Sequence, residues 1–141
     1  MDVIDKKIIE LIQFDASLTA REIAEKVGLT TAPCWRRIQR LEAEGIIAAR
    51  VAIIDPEKIN LPVLALVEIR TNRHNAEWLT DFISAIQKFP EIIEAYRTSG
   101  EVDYMLRVVA PNMETYDLYD VRTHFVMERI KATTELPLEY C

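Results

Sequence analysis

Residues 29–41 read Leu-Thr-Thr-Ala-Pro-Cys-Trp-Arg-Arg-Ile-Gln-Arg-Leu. Their polar side chains are of the kinds that bond base edges: arginine pairs bidentately with guanine, glutamine with adenine. From position 30 to 41 there are three arginines and no acid, in a chain of formal net charge −6. Wound as a helix at about 100° per residue, Cys34, Ile38 and Leu41 share one apolar stripe. Ala32, Arg36, Gln39 and Arg40 then lie on the opposite side, with Arg37 on a flank. Thr30 or Thr31 can cap the entry, and Pro33 is tolerated only in a first turn. A small cap followed by Arg and Gln on an exposed helical face suits a major groove. A solvated amphipathic helix has the same periodicity, so the stripe by itself does not separate the two readings.

The elements that would position this helix are legible on its N-terminal side. Residues 19–27 open with Thr19 and, three residues on, Glu22, the pattern of a capping box. Ala20, Ile23, Ala24 and Val27 follow helical spacing. Gly28 stands where a left-handed residue ends a helix, and only Gly28 and Leu29 precede the Thr30 cap. Helix, glycine turn and basic-faced helix form the helix-turn-helix arrangement. Residues 3–14 read as a first helix backing the pair, with Ile4, Ile8, Leu11 and Ile12 on one face and residues 15–17 ending it. After Gly45 the branched apolar run of residues 46–54 predicts one or two short strands, a wing. Residues 1–54 are therefore expected to form a winged helix-turn-helix domain, with residues 55–60 as linker.

Residues 61–141 predict a second, ferredoxin-like domain, making the chain α+β. Residues 61–71 read as a strand. Residues 75–88 form an amphipathic helix with Trp78, Leu79, Phe82, Ile83 and Ile86 on one side, closed by Pro90. Residues 92–98 and 102–109 pair as a hairpin across Ser99, Gly100 and Glu101. A helix is expected to start at residues 111–114, with Asn112 as cap, and residues 121–131 are the last strand. The order is βαββαβ. Val102, Tyr104, Leu106 and Val108 lie on one side of their strand, Met105 and Val109 on the other. A sheet with a second apolar face needs a second cover, most simply another copy of the chain. One interval is short for this fold: nine helical residues, 112–120, span only about 13 Å, which barely crosses a sheet. Either the helix is cut short or residues belonging between Tyr119 and Val121 are absent; the intact flanks favour the second.

At 141 residues, half of them apolar, the chain can bury a core and is not a disordered chain. No run of eighteen apolar residues suggests a membrane span, and the first residues lack a secretory pattern. Cys34 and Cys141 make neither a disulfide framework nor a metal-ligand spacing; Cys34 reads as a small buried apolar residue. Residence in the cytoplasm is expected. Residues 1–60 carry nine Lys/Arg and ten Asp/Glu, residues 61–141 eight and thirteen, so the acid is concentrated away from the basic helix. His74 and His124 have no acid or thiol at ligand spacing. Ser99-Gly100 is not a nucleophile elbow, and three glycines make no phosphate loop. No enzyme, metal or cofactor is expected.

The chain resembles the Lrp/AsnC, or feast/famine, regulators of bacteria and archaea. The matching stretches are Ile4-Asp5-Lys6-Lys7-Ile8-Ile9, Val27-Gly28-Leu29-Thr30, Pro33-Cys34-Trp35-Arg36-Arg37-Ile38, Leu41-Glu42-Ala43-Glu44-Gly45-Ile46-Ile47, Ser99-Gly100-Glu101-Val102-Asp103-Tyr104 and Phe125-Val126-Met127-Glu128-Arg129-Ile130-Lys131. They cover nearly the whole chain; the short segment near Tyr119 is the one departure. The resemblance implies a regulator of transcription that binds double-stranded promoter DNA through its N-terminal domain. It implies an amino-acid effector, and homodimers that assemble further, commonly to octamers. The DNA-facing set on this sequence is Thr30, Thr31, Trp35, Arg36, Arg37, Gln39 and Arg40. The effector is implied to bind between dimers near the turn after the second strand, here Gly100, Glu101, Asp103 and Tyr104, with Thr123, His124 and Val126 of the last strand. Read alone, Glu101 and Asp103 are solvated hairpin acids. As an amino-acid site, the turn amides would take a carboxylate and an acid the α-ammonium. His124 reads either as packed or exposed, or as a specificity residue. A stand-alone amino-acid-binding or enzymatic module with a helical assembly domain is the alternative; Arg36, Gln39 and Arg40 argue against it, since an assembly helix needs no acid-free basic face.

Overall fold

The computed structural model describes residues 1–72, 75–113 and 121–141. Three helices come first: α1 (Val3–Phe14), α2 (Ala20–Val27) and α3 (Thr31–Ala43). Each begins where its sequence supplies a start. Asp2 and Asp5 form a reciprocal capping box at α1, and Thr19 and Glu22 form another at α2. Gly28 ends α2 with φ 74°, the left-handed conformation that glycine adopts without steric penalty. Thr30 occupies the N-cap position of α3, but neither it nor Thr31 gives the expected side-chain cap bond.

Ile8, Ile9 and Ile12 of α1, Ile23 and Ala24 of α2, and Cys34, Ile38 and Leu41 of α3 make one buried cluster, with Ile4, Leu11 and Val27 packed around it. The apolar stripe read on α3 is thus the buried one. The wing strands are a correction. Residues 46–54 form no strand, since no ladder partner for them lies among the described residues, and Val51, Ile53 and Ile54 are exposed.

The chain divides into two units: residues 1–53 with 131–141, and residues 54–130. By this division residues 131–141, read from sequence as part of the second domain, pack with residues 1–53. Gln13 holds this tail by two hydrogen bonds. Its Nε2 donates to the Leu136 carbonyl (3.2 Å), and its Oε1 accepts the Leu136 N–H (2.7 Å). Leu138 packs against the helical core.

The second unit holds a 3₁₀ turn (Pro56–Ile59), then β1 (Val63–Ile69), α4 (Ala76–Ile86), β2 (Ile92–Arg97), β3 (Tyr104–Ala110) and β4 (Arg122–Phe125). The sheet order is β2-β3-β1-β4 and every adjacent pair is antiparallel. This is the strand arrangement of the ferredoxin-like unit expected from the βαββαβ order, whose second helix falls largely outside the described residues. Val67, Leu106 and Val108 are buried on the face that α4 covers with Phe82 and Ile86. Trp78, Phe82 and Tyr104 stack together there, with ring centroids 4.7–5.5 Å apart. The last strand is shorter than residues 121–131: β4 pairs with Ala65–Glu68 of β1, Val126 N–H adds one bond to the Leu64 carbonyl, and β1 then ends. β3 begins at Tyr104 rather than at residue 102. The helix expected from residue 111 lies largely outside the described residues, as does the interval ending at Tyr119.

Candidate nucleic-acid interface and sheet-end cleft

Burying Cys34, Ile38 and Leu41 turns the other side of α3 outward. Thr31, Ala32, Trp35, Arg36, Gln39 and Arg40 are exposed, as is Thr30 just ahead of the helix; Arg37 is half-buried. Arg36 has no hydrogen-bond or ion-pair partner among the described residues. Trp35 beside it is 53 % exposed, unusual for a residue of its size. Gln39 donates to Glu42 Oε2, 2.9 Å away and three residues on, a bond local to the helix surface.

Arg37 and Arg40 are placed differently from the expectation of a free basic face. The carboxylate of Asp5, on α1, is buried at 1 % exposure. Its Oδ1 accepts from Arg37 Nη1 at 2.8 Å, and its Oδ2 from Arg40 Nη2 at 2.6 Å and from the Asp2 N–H at 3.0 Å. Asp2 takes a second bond from Arg37 Nη1, at 2.7 Å. Arg40 Nε also stands 3.8 Å from Glu44. Burial alone pushes the Asp5 carboxyl up, but the Asp2 N–H and the two guanidinium groups outweigh it and hold the group down at about 2. The Asp5 N–H and Arg37 lower Asp2 as well, and Asp2 and Asp5 raise Arg37. Desolvation raises the Cys34 thiol, as suits an inert buried residue. Sequence periodicity missed Asp5. Its signal was its place one turn before Ile8, on the buried side of α1.

In the second unit the sheet register decides which of the proposed effector residues meet. Ile69 of β1 stands opposite Tyr104 and Glu68 opposite Arg122, so the β2–β3 turn and the start of β4 flank the same end of β1. Asp103 ties the turn to that end: its N–H donates to the Ile69 carbonyl (3.1 Å) and its carboxylate accepts the Thr71 N–H (2.8 Å). Thr98 closes the turn by bonding the Val102 carbonyl. Glu101 is highly exposed and stands 3.4 Å from Arg70. Gly100 has φ 109°, and a Cβ there would meet no atom within 4 Å; the backbone conformation, and not lack of room in the chain, asks for glycine. Tyr104 belongs to the aromatic stack, 6 % exposed.

Thr123 faces the α4 side, opposite Val67, while His124 lies opposite Leu66 on the other face, its Nε2 3.2 Å from Glu68 Oε1. Val126 is bonded to Leu64, five residues along β1 from Ile69, or about 17 Å at the usual strand rise. Within one chain the turn and Val126 therefore lie at opposite ends of the sheet. An open cleft of about 550 Å³ lies at the turn end, lined by Arg70, Thr71, Asn72 and Trp78. Sequence reasoning did not single out its Arg70-Thr71-Asn72 rim. The polar residues directly after an apolar strand were the available signal. No group of metal-ligating side chains occurs among the described residues, and no helix there is long and apolar enough to cross a membrane.

Comparison with known proteins gives a consistent picture. The family model of the Lrp/AsnC ligand binding domain matches residues 64–136, and that of a winged helix-turn-helix DNA-binding domain matches residues 1–48. The chain is 42 % identical to the DNA-binding transcriptional activator DecR of Escherichia coli K12, over 151 aligned positions and 99 % of both chains. That alignment is at least ten positions longer than this chain of 141 residues. Among solved structures, an AsnC family transcriptional regulator from Agrobacterium tumefaciens is 47 % identical with a TM-score of 0.90, covering 99 % of each chain. A transcriptional regulator from Neisseria meningitidis, solved in complex with L-Met, is 32 % identical with a TM-score of 0.92, covering 99 % of this chain and 98 % of that one.

Proposed function

This chain belongs to the Lrp/AsnC family, DNA-binding transcriptional regulators with an amino-acid-responsive domain, and we propose that its α3 reads the major groove with Arg36 at the centre of the contact. The observation that carries this reading is the outward face of α3: an exposed Arg36, without an ion-pair partner among the described residues and flanked by Trp35 and Gln39, on the second helix of the helix-turn-helix. Thr30 and Thr31 stand at the helix N-terminus, where hydroxyls and backbone amides meet phosphate. Arg37 and Arg40 are held by acids and play a lesser part. The test is a fluorescence-anisotropy titration, at fixed salt, against an operator selected from a random duplex pool. Arg36→Ala should weaken binding by about 1–3 kcal/mol and relax the sequence preference. Unchanged affinity and preference in a folded variant would overturn the assignment.

For the second unit, the proposed ligand is an amino acid held at the β2–β3 turn. Gly100 and its neighbours supply amides for the carboxylate, and Asp103 with Glu101 supplies negative charge for the ammonium. The Neisseria relative's L-Met complex supports this class of ligand. Because the turn and Val126 lie at opposite ends of one sheet, Val126 joins such a site only from a second copy, whereas Thr123 and His124 lie near the start of β4, at the turn's own end of β1. The open sheet face, where Leu64, Leu66 and Met105 remain half-buried, suits a homodimer that assembles further, up to an octamer. A cytoplasmic location follows from a DNA-binding role. A thermal-shift screen of the twenty amino acids tests the site, since a ligand at a hundred times its Kd stabilises by about 2.7 kcal/mol. Asp103→Asn, which keeps an acceptor for the Thr71 N–H, should lose the shift. A normal shift in that variant would move the site elsewhere.

A further inference from the structure

Two of the three arginines on the DNA-facing helix are already neutralised within the fold. Arg37 shares its Nη1 between Asp2 (2.7 Å) and Asp5 (2.8 Å), and Arg40 gives its Nη2 to Asp5 (2.6 Å). A charge pair this close, with one partner buried, is screened little by salt. Yet the arginine side chains are 28 % and 47 % exposed, so each guanidinium lies at the surface and would reach solvent if released. Stability does not require such an arrangement: apolar residues of similar volume usually serve a core at least as well as a buried ion pair. What it achieves is a basic helix whose available positive charge is cut from three to about one.

We infer that Asp2 and Asp5 are a brake on the phosphate affinity of α3, withholding Arg37 and Arg40 so that discrimination between sequences rests on Arg36 and its neighbours. The inference depends on α3 being the DNA-reading helix. Its physical content is counterion release. Each phosphate neutralised adds about 0.9 to the slope of log K against log salt on duplex DNA. Freeing one arginine therefore raises non-specific affinity at low salt, and over a fourfold salt range costs that complex about threefold more than wild type loses. A purely structural Asp5 predicts the reverse: a looser α3, and weaker binding to every sequence.

The test measures anisotropy of the full chain on a non-specific duplex and on a selected operator between 50 and 200 mM salt. Asp5→Asn keeps the shape and an acceptor for the Asp2 N–H while removing the charge. It should bind the non-specific duplex more tightly at 50 mM, steepen the slope by about one, and narrow the ratio of operator to non-specific affinity. Asp5→Asn with Arg40→Gln should return the slope to the wild-type value. Asp2→Asn, at a half-exposed N-cap where asparagine serves equally well, should shift the slope the same way and keeps the test open should Asp5→Asn fail to fold. Glu10→Gln, which removes an exposed acid of α1 without releasing an arginine, should leave the slope in place. An unchanged or shallower slope in folded Asp5→Asn and Asp2→Asn, with Arg36→Ala still impaired on the operator, overturns the brake and leaves the DNA-reading helix standing. Arg36→Ala without effect overturns both.

Discussion

Replacing Asp5 by asparagine should cost the first unit about 2 kcal/mol of stability at neutral pH and far less near pH 2.5. The magnitude follows from the carboxyl's position. It is held at about 2 against an ordinary 3.8, by the Asp2 N–H and by Arg37 and Arg40, and each pKa unit of depression is worth about 1.4 kcal/mol. A depressed pKa stabilises the fold above the unfolded value, and the contribution is lost as pH falls from about 4 toward 2. Urea denaturation of wild type and Asp5→Asn, followed by far-ultraviolet circular dichroism from pH 7 down to 2.5, reads this directly. With a slope of about 1 kcal/mol per molar urea, the midpoints should stand about 2 M apart at pH 7 and converge as the acid limb is descended. Other carboxyls with lowered pKa values, Asp2, Asp15 and Glu22, titrate in both proteins, so the gap between them isolates Asp5. A gap of constant size from pH 7 to 2.5 would refute the electrostatic account and leave only a loss of packing. Equal midpoints at pH 7 would refute both.

Leu41→Ala removes a fully buried side chain of α3 and should lower stability by about 2–5 kcal/mol, read as a urea midpoint. Gln13→Ala removes both hydrogen bonds to Leu136, at a cost of about 1 kcal/mol, and should speed proteolytic trimming within residues 131–141 while residues 63–110 keep their wild-type resistance. Gly100→Ala meets no steric obstacle but must hold φ 109°, and should destabilise the second unit by about 1 kcal/mol or more, seen as a lower thermal midpoint.

Local signals in the sequence translated directly into structure. Thr19 and Glu22 announced the start of α2 and Gly28 its end, because capping is a matter of a few consecutive residues. The periodicity of Cys34, Ile38 and Leu41 identified the buried side of α3. The order of strands and helix in the second unit was enough to anticipate the sheet β2-β3-β1-β4, since few topologies accommodate it. Pairings between distant segments were not legible. Periodicity along α3 put Arg40 on the open side and said nothing of Asp5, 35 residues earlier, which binds it. The run at residues 46–54 has the composition of a strand, but a strand exists only with a partner. The tail carried no periodic signal, and its docking rests on one glutamine and one leucine. For the cleft, the glycine and acids marked only a hairpin turn, and it was the family resemblance that pointed to it as an effector site. The Arg70-Thr71-Asn72 rim emerged only once the register showed which strand ends coincide.

The docking of residues 131–141 has a consequence for how the protein is made. The DNA-binding unit is assembled from residues 1–53 and residues 131–141, with the second unit, residues 54–130, translated between them. At a ribosomal rate of about 5–20 residues per second, roughly 4–16 s separate synthesis of the three helices from synthesis of the tail. For that interval the nascent helices stand without Leu138 against their core and without the Leu136 clamp on Gln13. A chain that ends within the second unit therefore carries a helix-turn-helix without the Leu136 and Leu138 contacts. Residues 131–141 are made after residues 54–130, so a helix-turn-helix with this segment in place comes only from a chain whose second unit has also been synthesised.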